Sequence, residues 1–96
     1  MDSEDILILL RQFKIDHADK YHLLSLGIFG SFARGEARED SDVDVVFETD
    51  QPNLFRTAGM QADLQDLLGR PVDVVRLREN MNPRLKARIL QDAVYA

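Results

Sequence analysis

Asp42 and Asp44 open an apolar stretch, DVDVVFE (42–48), shortly after the pair Gly30-Ser31. Side chains at i and i+2 of a strand share a face. A strand over 42–48 therefore points both carboxylates the same way, with Cα atoms about 6.6 Å apart. Two carboxylates about 4 Å apart repel by roughly 4 kcal/mol at an effective dielectric near 20. A divalent cation removes that repulsion, and with no His or Cys beside the pair, oxygen-only ligation favours Mg²⁺ or Mn²⁺ over Zn²⁺. Asp73 is the only charge in PVDVV (71–75). If that strand lies beside 42–48, Asp73 completes a three-aspartate set; the plain alternative is an edge-strand residue facing water.

Gly30 ends an apolar run and Ser31 starts a helical turn. Glycine permits a tight turn and close approach of a phosphate to the backbone. The free N–H groups there, with the Ser31 hydroxyl, can hold a phosphate oxygen. A strand-Gly-Ser-helix turn is weak by itself, since many only cap a helix; beside metal-ready aspartates it predicts a grip on a nucleoside triphosphate. Arg34 in the same turn pairs either with a phosphate or with a nearby carboxylate. Ser41 is expected to shape the strand entrance through a backbone hydrogen bond, with Asp40 in that turn. No Gly-Lys-Ser/Thr triplet and no GxGxxG occurs, which removes the P-loop and dinucleotide fingerprints. DSDVDV (40–45) fails as a calcium loop, with Val45 where glycine is needed and Gln51 where glutamate is needed. His17 and His22 read as surface residues of a polar loop.

The elements that must position these residues follow from periodicity. Ile6, Leu7, Leu9, Leu10 and Phe13 recur at helical spacing, with Asp2, Glu4 and Asp5 at the positive end of that helix. HADKYH (17–22) reads as a polar connection. LLSLGIFG (23–30) is a buried strand, followed by the turn SFARG, the loop EAREDS, the strand 42–48 and the break TDQPN (49–53). Met60, Leu64, Leu67 and Leu68 stripe a helix over 54–69 that stops at Gly69, with Pro71 beyond. PVDVVRL (71–77) is a third strand. Asn82 and Pro83 open a last helix with Leu85, Ile89 and Ala93 inward. The order α-β-α-β-α-β-α predicts an α/β fold, one small mixed sheet flanked by helices.

The length of 96 residues fits a single domain, 1–96. An apolar fraction of 45% supports a globular core over disorder. No run is long enough to span a membrane, and the N-terminus lacks the basic flank of a signal peptide. With no cysteine, thiolate metal sites are excluded and a reducing cytoplasm is the expected location. The net charge of −5 is uneven: residues 1–50 hold 12 acidic and 5 basic side chains, residues 51–96 hold 5 and 7. Overall acidity argues against direct nucleic-acid binding. Arg70, Arg76, Arg78, Arg84, Lys86 and Arg88 remain available to a phosphate or an acidic partner, although solvated faces explain most such residues.

Gly30-Ser31, ten residues, then Asp42-x-Asp44 resembles the signature of the polymerase-β-like nucleotidyltransferase superfamily. The fuller string GSFARGEAREDSDVDVVFE and the ending NPRLKARILQDAVYA resemble its minimal nucleotidyltransferase branch. The likeness covers about residue 23 onward. It implies the polymerase-β-like fold, with Asp42, Asp44 and Asp73 as catalytic ligands of two Mg²⁺ ions and Gly30 and Ser31 as nucleotide-binding residues, joined by Arg34 on the phosphate reading above. It implies transfer of AMP from ATP to an acceptor hydroxyl, with pyrophosphate leaving. Members of this branch pair with a HEPN-domain toxin encoded nearby, as antitoxins of type VII systems that attach AMP to a toxin tyrosine. Larger relatives carry an extra helical domain, so a homodimer or hetero-oligomer is expected to supply the missing wall. Two rival readings stand: an antitoxin that neutralises by covering its partner without catalysis, and a nucleotidyltransferase acting on a small molecule or an RNA 3′ end.

Overall fold

The computed structural model describes residues 1–96 as α1 (Ser3–Tyr21), β1 (Leu23–Phe29), α2 (Gly30–Ala33), β2 (Val43–Thr49), α3 (Leu54–Leu68), β3 (Val72–Arg76), α4 (Pro83–Asp92) and β4 (Val94–Tyr95). The four strands form one mixed sheet in the order β3-β2-β1-β4. β2 runs parallel to β3 and antiparallel to β1, and β4 lies antiparallel on the far side of β1.

The three longer helices each start at a side-chain cap, whereas α2 follows Phe29 with none. Asp2 accepts from the Asp5 N–H while the Asp5 carboxylate accepts from the Asp2 N–H, a reciprocal box that opens α1. Asn53 caps α3, and Asn82 accepts from the Arg84 and Leu85 N–H groups ahead of Pro83 in α4. α3 stops at Gly69, in the left-handed conformation with φ 67°.

Alternation along the strands separates two cores. Val43, Val45 and Phe47 face α1 and α3, joining Ile6, Leu10, Phe13, Met60, Leu64 and Leu68. Val46 and Phe29 face the other way, where Ile89 of α4 covers them. Apolar burial of this kind stabilises by about 25 cal/mol per Å² and fixes which face of β2 remains for chemistry.

Several expectations need correction. Residues 17–21 are helix, not a polar connection, because Phe13, His17 and Tyr21 recur at i+4 and stack, with adjacent ring centroids 4.3 and 5.9 Å apart. His17 is thus half-buried on that stripe instead of lying on a loop, and half-buried His22 closes the helix at φ 52°. Leu67 is 40% exposed and lies off the buried stripe of α3. A fourth strand, Val94–Tyr95, follows α4 where the sequence suggested only helix. It pairs with Gly27 and Ile28. A methyl on Gly27 would stand 2.6 Å from the Val94 carbonyl oxygen, so only glycine admits the strand so closely.

Candidate active site

The end of β1, the start of β2 and the start of β3 meet at one end of the sheet. In register across them lie Phe29, Asp44 and Asp73. Asp44 shares the face of Val46, opposite Val43 and Val45, so its carboxylate emerges on the side covered by α4. Gly30 follows Phe29 with φ 74°, and a methyl built on it would collide with Asp44 Oδ2. The Gly-Ser turn and the Asp44 carboxylate, 14 positions apart in the chain, are therefore in direct contact.

Asp44 is half-buried. Burial raises its pKa above the ordinary carboxylate value, and the Asp73 charge raises it further. Asp42 adds to the rise, while Arg88 and Arg34 oppose it. The ionised carboxylate thus lacks a full counter-charge, a deficit that a cation would fill.

The other two aspartates are less confined. β2 begins at Val43, so Asp42 stands at the threshold of the strand instead of within it, and is exposed. Asp73 is also exposed, on edge strand β3, yet in register with Asp44. It is thus an edge-strand residue open to water that also lies in register with Asp44. As the side chains stand, no three acidic or imidazole groups close around a single point at metal-binding distance. The donor set fits a hard cation in chemistry, all carboxylate oxygen, and rotation of exposed Asp42 and Asp73 toward Asp44 is the movement needed to close it.

Around this set the loop is held by hydrogen bonds. Ser41 Oγ accepts from the Arg38 N–H at 2.8 Å, shaping the strand entrance as expected. Arg34 takes the carboxylate option: it donates to Asp92 Oδ2 at 2.8 Å and to Glu36 at 3.2 Å. Those two acids, Asp92 foremost, raise the Arg34 pKa. Half-buried Ser31 and buried Gly30 begin α2, whose first N–H groups have no partners within the helix. None of the surface cavities is lined by Asp42, Asp44 or Asp73, so the site is an open shelf. Arg88, in sequence one of six basic residues without a stated task, is the first of the two cations whose charge opposes the rise at Asp44. Its signal was the i+4 spacing to Asp92.

The model of the family described as "Nucleotidyltransferase domain" matches residues 8–96. The protein adenylyltransferase MntA of Thermococcus cleftensis is 32% identical over 93 residues, covering 96% of this chain and 93% of its own. A solved structure provisionally described as a minimal nucleotidyltransferase is 36% identical with a TM-score of 0.77, over 98% of this chain and 95% of that one. The MNT antitoxin complexed with a tri-AMPylated HEPN toxin of Shewanella oneidensis shares the fold at a TM-score of 0.64 and 20% identity, over 97% of this chain and 66% of that one.

Proposed function

Because this chain belongs to the nucleotidyltransferase domain family, in its minimal branch, and is an enzyme of the nucleotidyltransferase class, we propose that it transfers AMP from ATP to a tyrosine hydroxyl of a HEPN-type toxin. The observation that carries this reading is the contact between Gly30 and Asp44, with Asp73 in register beside it. A triphosphate held at the Gly-Ser turn then lies against the carboxylates. The name of the Thermococcus relative supports adenylyl transfer to protein, and the Shewanella complex supports the HEPN partner.

Asp42, Asp44 and Asp73 are the residues to hold Mg²⁺, two ions with Mn²⁺ as a substitute. Bound there, such ions would supply charge neutralisation for the departing pyrophosphate and acidification of the attacking hydroxyl. Gly30 and Ser31 receive the triphosphate oxygens on backbone N–H groups and the Ser31 hydroxyl. To Asp73, exposed at the sheet edge, we assign the proton of an incoming hydroxyl. The open shelf favours a macromolecular acceptor, which brings its own wall, over a small molecule that needs enclosure. We place the reaction in the cytoplasm, where ATP is available, and residues 1–96 act in it as one domain. No helix is long and apolar enough to cross a membrane.

The test is incubation with labelled ATP, Mg²⁺ and the HEPN protein encoded nearby, followed by mass spectrometry of the partner. The partner should gain AMP on tyrosine, and Asp42→Asn or Asp44→Asn should lower the rate at least about 100-fold. Undiminished labelling by both variants would end the metal-site reading. Full neutralisation of the partner by Asp42→Ala without labelling would favour the covering antitoxin.

A further inference from the structure

Helix α4 approaches the acidic shelf from above. Its buried residue Ile89 rests on Phe29 and Val46. Phe29 is the register partner of Asp44, and Val46 lies two residues beyond Asp44 on the same face. Residue 88 is therefore carried by the part of α4 nearest the carboxylates. The helical repeat places Arg84, Arg88 and Asp92 one above another on one side. The lowest of the three, Asp92, is bonded to Arg34, which follows the Gly-Ser turn, and its side chain is only 10% exposed. The Arg34–Asp92 bridge thus fixes α4 against the turn, with Arg88 one helical turn away.

The two guanidinium groups differ in how they are committed. Arg34 is occupied by both Asp92 and Glu36. Arg88 is exposed and takes part in none of the three ion pairs, which are Lys20–Asp63, Arg34–Glu36 and Arg34–Asp92. A planar guanidinium outside those pairs, on the helix that overlies the face of Asp44 and is tied to the Gly-Ser turn, suits bidentate capture of phosphate oxygens.

We infer that Arg88 is the side chain that binds the β- and γ-phosphates of the nucleotide, and that Arg34 is a positioning residue that sets Arg88 through Asp92. The inference rests on the nucleotidyl-transfer reading and deepens it, since the phosphate-binding role of the GSFAR turn moves from its arginine to one on a distant helix.

The affinities of the whole protein for ATP and for AMP, both with Mg²⁺, test it. Arg88→Ala should weaken ATP about 30-fold, the loss typical of one charge-assisted bond, and AMP less than threefold. Arg88→Lys should regain part of the ATP loss. Arg34→Ala and Asp92→Asn should each weaken ATP about fivefold, with the double variant no worse than either alone. Arg11→Ala, on the outer side of α1, removes the same charge and should change neither affinity. Melting curves show that each variant is folded. ATP binding by Arg88→Ala equal to wild type overturns the inference, as does a parallel loss of ATP and AMP. Failure of the wild type to bind ATP overturns the nucleotidyl-transfer reading instead, and this inference with it.

Discussion

Gly30 is the residue at which two chemistries meet, a turn that can receive phosphate and a carboxylate that can hold a cation. Gly30→Ala should therefore do more than strain the backbone. Left-handed φ costs a non-glycine residue about 1–2 kcal/mol, and the added methyl must also displace Asp44 Oδ2. Gly35 is the internal comparison: its φ is 72°, but nothing lies within 4 Å of an added methyl. Gly35→Ala should lower the melting midpoint by about 5 °C and keep most of the transfer activity. Gly30→Ala should lower it further and abolish transfer. Equal activity in the two variants would show that contact with Asp44 has no catalytic weight. The residue types here were legible because they sit within one short run, 30–44, where spacing alone exposes them. Their contact was not legible, since it depends on β1 and β2 pairing so that Phe29 meets Asp44. Asp73 stood out as a lone charge in an apolar strand, but its partner is 29 positions away and only strand order reveals it.

Among the elements, long periodic helices and apolar strands announced themselves, while short or mixed ones did not. α1 continues to Tyr21 because three aromatic rings at i+4 spacing are hidden among charged neighbours. β4 is two residues long, below the length at which alternation carries information. The concealed end of α1 also makes the tie to α3: the buried Tyr21 hydroxyl donates to Asp63, with Lys20 3.6 Å from the same carboxylate. The Tyr21 bond, chiefly, holds the Asp63 carboxyl below the ordinary range, and burial followed by that bond pushes the Tyr21 phenol up. A depressed carboxylate stabilises the fold above its ordinary pKa, and that stability is lost as pH falls through the lowered value. A raised phenol stabilises below about pH 10 and loses its contribution as pH rises beyond. Tyr21→Phe should thus melt about 4 °C below wild type at neutral pH, the worth of about 1 kcal/mol for a partly exposed acceptor. The gap should close in strong acid and above about pH 10. A gap unchanged across that range would assign the loss to packing of the ring edge.

Across the whole molecule, charge is sorted by sequence and recombined by the fold. The acidic first half supplies Asp42 and Asp44, and the basic second half supplies Arg88 of α4, whose charge acts on Asp44. The recombination is incomplete, since the pKa of Asp44 stays raised despite Arg88 and Arg34. A carboxyl whose folded pKa is raised costs stability once ionised. The cost is absent below the ordinary carboxylate range and fully present above the folded value. Asp44→Asn should therefore melt higher than the metal-free wild type at neutral pH, with the advantage fading on acidification. Mg²⁺ should produce the same relief by binding. At ten times its Kd the wild-type midpoint should rise about 5 °C or more, from roughly 1.4 kcal/mol of linkage, and EDTA should reverse it. Asp44→Asn should lose that response, while Asp50→Asn, an exposed charge beyond the far end of β2, should keep it. Calorimetric melts of the three proteins with and without Mg²⁺ decide the matter without reference to any acceptor. A wild-type midpoint indifferent to Mg²⁺, or one that moves equally in Asp44→Asn, takes the ion away from this shelf and the proposed chemistry with it.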